Sequence, residues 1–350
     1  MSPLSSAVML SAGFLALSIS LVKVLPALKQ HRTGGSQGQV HVYRPSSLKG
    51  AKIIITIDVG SSSVRCTAFQ VDEVSNKAIL IPACTATHCG SNVIKGIADC
   101  NTLFALINQV VKSCVYSLQE RGVSSVHSLG ITTFAMTLVG VDSQSGAPLT
   151  PMFTYAGQGP GVTAAADHIL REVPTSERRG HYTRTGTVLH HPCYATAQLQ
   201  HYFSTQQQEQ GNRNRLQQLH WTTLSGYVLG KWRGLGGSAP VSLSDAAWTG
   251  LLDMHSLQWD AVALRRLGLQ AEQFPPLVAS HSSSAATLEG RGVHIPGLDA
   301  TEGREVGLLD HTRVFAGIGD GLAATIASKC RQQQPLPVPL RVSSDKKGES

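Results

Sequence analysis

No acidic residue precedes Asp58 in this 350-residue chain. The 57 residues before it hold six lysines and arginines, so nearly all of the formal net charge of +7 belongs to the N-terminus. The remainder is close to neutral, which argues against a nucleic-acid-binding face. Paired cysteines are also missing. The seven cysteines (Cys66, Cys84, Cys89, Cys100, Cys114, Cys193 and Cys330) include no C-x-x-C. An odd, scattered set argues for reduced thiols and against a disulfide framework or a cysteine zinc site. The 14 histidines are dispersed, and the adjacent pair His190–His191 lacks the i, i+4 spacing with which a helix chelates a metal. No repeat of fixed period occurs. Aromatic residues make up 5% and charged residues 15%, whereas glycines number 34 and apolar residues reach 42%. That composition suits about two α/β domains rich in turns.

The ends differ from the middle. Val8 to Val22 is a nearly unbroken apolar run, and counting past Lys23 to Leu28 it reaches bilayer-spanning length. Residues 1–34 read as a targeting or membrane-anchor segment. The lack of a basic stretch before the run weakens a signal peptide. Two readings stay open. One is an anchor that contacts a membrane through residues 7–28 and leaves the rest facing the cytosol. The other is a transit peptide for a mitochondrion or plastid. Residues 35–50 read as a linker and residues 331–350, rich in Gln and Pro, as a disordered tail.

Between them, Ile53-Ile-Ile-Thr-Ile-Asp-Val-Gly-Ser-Ser-Ser-Val-Arg65 raises a chemical question. A β-branched run predicts a central strand, and Asp58 sits where it leaves the core. Gly60 suggests a tight turn with positive φ. Ser61, Ser62 and Ser63 add hydroxyls and N–H groups. Such a turn could cradle a phosphate while the acid holds hydrated Mg²⁺, or it could be an ordinary polar hairpin. Further on, the pattern predicts strands at 64–71, 78–81, 126–132 and 136–141. It predicts helices at 101–120, 161–172, 194–208 and 215–230, with a Gln-rich solvated stretch over 204–218.

Several stretches, in this order, resemble the FGGY carbohydrate kinases, and within them a gluconate-kinase-like subgroup. IDVGSSSVR is similar to the family's first phosphate loop, D-x-G-T-[ST]-[ST]-x-[KR]. ITTFAMTLVGVDSQSGAPLTPMFTYAG resembles the strands that carry sugar contacts. RTGTVLHHPCYATAQL, residues 241–277 and AGIGDGLAATIASKC also have counterparts in the family. The resemblance implies an actin-like, hexokinase-like (ribonuclease H-like) α/β ATPase lobe, a mixed sheet with flanking helices. It covers residues 51–312, with 313–330 as the start of a second lobe. It implies ATP and Mg²⁺ as cofactors, with phosphoryl transfer to a hydroxyl of a small sugar or sugar acid. Asp58 would organise Mg²⁺, Gly60, Ser61 and Ser63 would touch the phosphates, and Arg65 occupies the family's Lys/Arg position. Asp245 and Asp320 are the candidate proton acceptors.

The departures from the family pattern matter as much. Where many members have T-W-x-D-x-R, this chain has Thr154-Tyr-Ala-Gly157-Gln-Gly159, so an Asp and an Arg that hydrogen-bond sugar hydroxyls are absent. Losing each such contact typically weakens binding by about 1–3 kcal/mol. Met136 stands at a His position, Gln198 at a Lys position, and Ser242 where the general base aligns, three residues before Asp245. The match ends near Cys330, where a full member continues into a second lobe. Three expectations follow: a kinase completed by a second chain, a non-catalytic binding or regulatory module at a membrane or organelle, or a truncated form of a real kinase.

Overall fold

The computed structural model describes residues 48–332, apart from 75–76, 93–95, 211–218, 280–292, 296–297, 299–307 and 310. The apolar segment 7–28, the linker as far as residue 47 and the tail beyond 332 lie outside the described residues. Among the described residues no helix is long and apolar enough to cross a membrane.

β1 (Ile53–Val59) has one face wholly inaccessible, with Ile53, Ile55, Ile57 and Val59 in the core, while on the other face Thr56 is buried and Ile54 and Asp58 are half-buried. It pairs antiparallel with β2 (Ser63–Asp72), which pairs antiparallel with β3 (Lys77–Cys89). β4 (Ile97–Ala98) leads into α1 (Cys100–Gln119), capped by Asp99, whose carboxylate accepts from the Thr102 N–H at 2.6 Å. Leu103, Ile107, Val110, Val111, Cys114, Val115 and Leu118 form its buried stripe. Burying each such side chain is worth roughly 1.5–3 kcal/mol. The chain then returns as β5 (Ser128–Thr133), parallel to β1. β6 (Val139–Val141) and β7 (Met152–Phe153) follow, then α2 (Pro160–Glu172), α3 (Thr175–Thr185) and α4 (Ala195–Gln210). β8 (His220–Thr222) precedes α5 (Leu224–Arg233), and β9 (Val241–Ser242) precedes the short α6 (Leu243–Ala247). The hairpin β10 (Leu252–Asp253) and β11 (Gln258–Trp259), α7 (Ala261–Leu267) and β12 (Leu277–Val278) complete that part. β13 (Arg313–Val314) and β14 (Ile318–Gly319) come back to β5, and α8 (Asp320–Gln332) closes the described chain. The main sheet has six strands in the order β13-β5-β1-β2-β3, with β14 also on β5. It is the mixed sheet with flanking helices of an actin-like ATPase lobe.

Four local expectations are corrected. The third strand does not stop at Ile81: it continues to Cys89, and Pro82 sits in a bulge where the pairing jumps from Phe69↔Leu80 to Thr67↔Thr85. The expected helix over 215–230 is instead the strand β8, paired with β6, followed by α5. Trp221 and Thr222 belong to the strand, and Thr223 caps the helix by accepting from the Gly226 N–H at 3.3 Å. Residues 211–218, including most of the Gln-rich stretch, lie outside the described residues. Met136 is not in a strand, since its φ is +60°. The helix α3 was not foreseen because its sequence, TSERRGHYTRT, lacks an apolar stripe.

α3 is held by a buried polar cluster instead. Asp260, the N-cap of α7, accepts from Arg184 Nε at 3.1 Å and lies 3.8 Å from His181 Nδ1. His181 Nε2 bonds the Thr187 hydroxyl at 3.2 Å. Burial disfavours the imidazolium and pushes the His181 pKa down to about 4, against the opposing pull of Asp260. The unfolded chain, titrating near 6.5, therefore binds more protons between these values. This group's share of the stability, up to about 3 kcal/mol, is present above pH 6.5 and is lost as the pH falls towards 4. Urea unfolding at a series of pH values should show this acid limb, and His181→Gln should flatten it. An unchanged slope in the variant contradicts the assignment.

Candidate functional site

β1 brings Asp58 to the end of the sheet, and its antiparallel register places Arg65 opposite. Arg65 Nη1 donates to Asp58 Oδ2 at 3.3 Å, with both side chains partly exposed. The turn between them is closed by the Gly60 N–H donating to the Ser63 carbonyl at 2.8 Å. Gly60 does not adopt positive φ as expected. Its lack of a side chain matters for space, because a Cβ there would lie 3.3 Å from the Ser63 oxygen. The turn is fastened from the far end of β3. The Asn92 N–H donates to the Ser61 carbonyl at 2.8 Å, its Nδ2 to the Gly60 carbonyl at 2.7 Å, and the Gly90 N–H to the Ser62 carbonyl at 3.0 Å. Sequence reading missed Gly90 and Asn92, since nothing in their local pattern announces a contact about 30 positions away. The carbonyls of residues 60–63 are thus occupied, and among the described residues the groups the turn leaves uncommitted are the N–H groups of Ser61 and Ser62 and the serine hydroxyls. That donor set suits an anion, and an Asp at its edge suits a hard cation.

The second observation is the register of three parallel strands. Asp58 pairs with Thr132 and Thr132 with Ile318; Val59 pairs with Thr133 and Thr133 with Gly319. The carboxyl ends of β1, β5 and β14 therefore stop level, and Asp320 emerges one residue later at the same edge as the serine turn, with β5 between the two. Open α/β sheets bind ligands at this edge. Asp320 is exposed, starts α8, and accepts from the Gly321 N–H at 2.8 Å. The Thr132 and Thr133 hydroxyls at the same edge are buried and find no partner among the described residues.

Asp245 is brought close but not to the surface. It is 1% exposed, and its Oδ2 accepts from Thr223 Oγ1 at 2.7 Å and Ser225 Oγ at 2.5 Å, while Oδ1 has no partner among the described residues. Burial raises its pKa, the two hydroxyls lower it, and the nearby Asp320 charge raises it again. Ser242 is a helix cap: its hydroxyl accepts from the Asp245 N–H at 3.1 Å and donates to the Gly317 carbonyl at 2.5 Å. Asp58, Gly60, Ser61, Ser63, Arg65 and Asp320 thus share one edge, with Asp245 enclosed behind Asp320. Among the described residues no group of three or more His, Cys, Asp or Glu side chains could hold a metal.

The sugar-strand departures are coupled in space. Gly157 and Gly96 touch backbone to backbone, and Gly96 has a φ of +83°. A Cβ on Gly157 would lie 3.1 Å from Gln198 Nε2, 3.1 Å from the Thr154 oxygen and 3.2 Å from the Gly96 oxygen. Gln198 is buried and donates to the Thr154 and Pro192 carbonyls at 2.8 and 3.0 Å. A missing carboxylate and a missing cation therefore face each other, and a buried Lys without its partner would be costly. Gly159, in contrast, faces open space.

Comparison with known proteins identifies the family and the fold. The family described as "FGGY family of carbohydrate kinases, N-terminal domain" matches residues 53–326. Glycerol kinase of Azotobacter vinelandii is 26% identical over 221 residues, covering 60% of this chain and 41% of that protein. The crystal structure of gluconate kinase from Lactobacillus acidophilus superimposes with a TM-score of 0.59 at 17% identity, over 78% of this chain and 49% of that one. Plasmodium falciparum glycerol kinase, solved with ADP, gives a TM-score of 0.59 at 14% identity, over 77% and 49%. The chain thus spans about half the length of the relatives it matches.

The Gly157–Gln198 contact makes a quantitative expectation. Gly157→Asp alone should destabilise the fold by about 1–3 kcal/mol, through close overlap and a half-buried unpaired charge. Adding Gln198→Lys should recover at least about 1 kcal/mol. Urea denaturation of the single and double variants measures the coupling, and a coupling of zero contradicts the contact.

Proposed function

The chain belongs to the FGGY family of carbohydrate kinases, and from that premise we propose that its sheet edge is the phosphate and acceptor half of an ATP-dependent sugar kinase site. The observation that supports this most is the level ending of β1, β5 and β14, which sets the donors of the serine turn and the Asp320 carboxylate on one sheet edge, on either side of β5. In this reading Gly60, Ser61 and Ser63 face the phosphates of ATP. Asp58, steadied by Arg65, would hold Mg²⁺, which when bound would supply charge neutralisation at the phosphates. Asp320 accepts the proton of the acceptor hydroxyl as its oxygen attacks the γ-phosphorus and ADP departs. Asp245, enclosed behind it, contributes field and framework. The acceptor class is a sugar, polyol or sugar acid. Water must be excluded for transfer to outpace hydrolysis. The reading therefore needs a second lobe facing this edge, supplied by another chain or by further residues of the protein.

A second reading has its own support. The packed Gly96–Gly157–Gln198 corner and the empty Gly159 position remove polar contacts that would grip sugar hydroxyls. That favours a nucleotide- or sugar-binding regulatory module without turnover, tethered through residues 7–28 to a membrane or organelle.

Calorimetry with Mg·ATP tests the shared premise. The full chain should bind it, and Asp58→Ala should weaken binding at least about tenfold, or 1.4 kcal/mol. Asp320→Asn should leave nucleotide affinity unchanged, since its role is toward the acceptor. No heat from a folded protein, or equal binding by Asp58→Ala, contradicts the reading.

A further inference from the structure

In the segment Gly317-Ile-Gly-Asp320-Gly321 a neighbour occupies the Cβ position at the first two glycines and would be in ordinary contact with a Cβ at the third. At Gly317 the neighbour is Ser225. At Gly319 it is the pyrrole side of Trp248, with Cδ1 at 2.9 Å and Nε1 at 3.0 Å from where a Cβ would stand. At Gly321 it is the benzo side of the same ring, with Cζ2 at 3.4 Å. The indole thus spans the joint between β14 and α8, and Asp320 lies between its two points of contact. Trp221, Trp232 and Trp259 are core residues, 0%, 1% and 8% exposed, whereas Trp248 is only partly buried.

Trp248 and Ser242 are the two caps of α6. Ser242 holds the Gly317 carbonyl, and Trp248 holds the backbone on either side of Asp320. The helix is itself fixed, since Asp245 within it accepts from Thr223 and Ser225 at the start of α5. Among the described residues the Asp320 side chain, by comparison, accepts only from its own neighbour's N–H. Its direction is therefore set by the backbone around it.

We propose that α6 clamps residues 317–321 and that Trp248 is the positioning residue that aims Asp320 at the sheet edge. This rests on the reading of Asp320 as the acceptor's base. Trp248 acts by packing on two glycines and touches no reacting atom. Removing the indole frees the backbone at both, and a misplacement of about 1 Å can lower turnover about a hundredfold.

Two readouts on the full chain need neither nucleotide nor sugar, so they stand or fall apart from the kinase reading. In amide hydrogen exchange, Trp248→Ala should speed exchange of the peptide covering 317–324 by about tenfold, with β1 and α1 peptides unchanged. Trp248→Phe, which keeps an aromatic plate, should restore most of the protection. In fluorescence, subtracting the Trp248→Phe spectrum from that of the unsubstituted chain isolates Trp248, and Asp320→Asn should shift that emission by removing a charge beside the ring. Unchanged exchange at 317–324, equal acceleration throughout the lobe, or an emission indifferent to Asp320 would overturn the proposal. Should Trp248→Ala fail to fold, Trp248→Leu carries the same exchange expectation, and the emission comparison decides on folded protein alone.

Discussion

The level ending of three parallel strands is the constraint on which the rest depends. Because β5 pairs with β1 on one side and β14 on the other, Asp58, Thr132 and Ile318 form one row, and Val59, Thr133 and Gly319 the next. A slip of one residue in either pairing would turn every side chain to the opposite face. The burial of Ile53, Ile55, Ile57 and Val59 makes such a slip expensive, so core packing fixes the position of the polar edge. The chemistry is then carried by whatever follows each strand: a serine turn after β1 and Asp320 after β14.

Close backbone approach is the second theme, and it takes two forms. In the 317–321 segment, glycines admit Ser225 and Trp248, so the approach brings a carboxylate under control. At Gly96 and Gly157 the approach closes a corner, with Gln198 donating to the carbonyls around it. In the proposed reading, packing stands there where a sugar contact would be. These two features pull the functional reading in different directions. On the proposed reading, the first keeps a site built around Asp320, and the second removes hydrogen bonds to a sugar. Which acceptor is taken, if any, depends on what can use the open space at Gly159 without the lost hydrogen bonds.

Much of this was legible in the sequence. The β-branched run of β1, the apolar stripe of α1 and the Asp-Gly-Ser turn each carry a local signal, and the ordered motifs identify the family. What stayed hidden depends on distant partners. α3 has no stripe because a buried His181–Asp260–Arg184 cluster holds it. The strand His220–Thr222 shows only through its pairing with β6. Gly90 and Asn92 fasten the serine turn from the end of β3. The enclosure of Asp245 and the exposure of Asp320, two acids with similar claims in the sequence, became distinct only when Thr223 and Ser225 were placed around the former. Glycine at 157 read as a loss, and only the contact with Gln198 shows two changes that fit each other.

The account's central claim is that one sheet edge faces the nucleotide phosphates. Paramagnetic broadening by Mn²⁺·ATP, with Mn²⁺ in place of Mg²⁺, tests it on the isotope-labelled full chain. The expected result is selective loss of amide signals from residues 60–63 and 319–321, with those of α3 unaffected. Broadening centred on α3, or elsewhere away from the ends of β1, β5 and β14, would contradict the account.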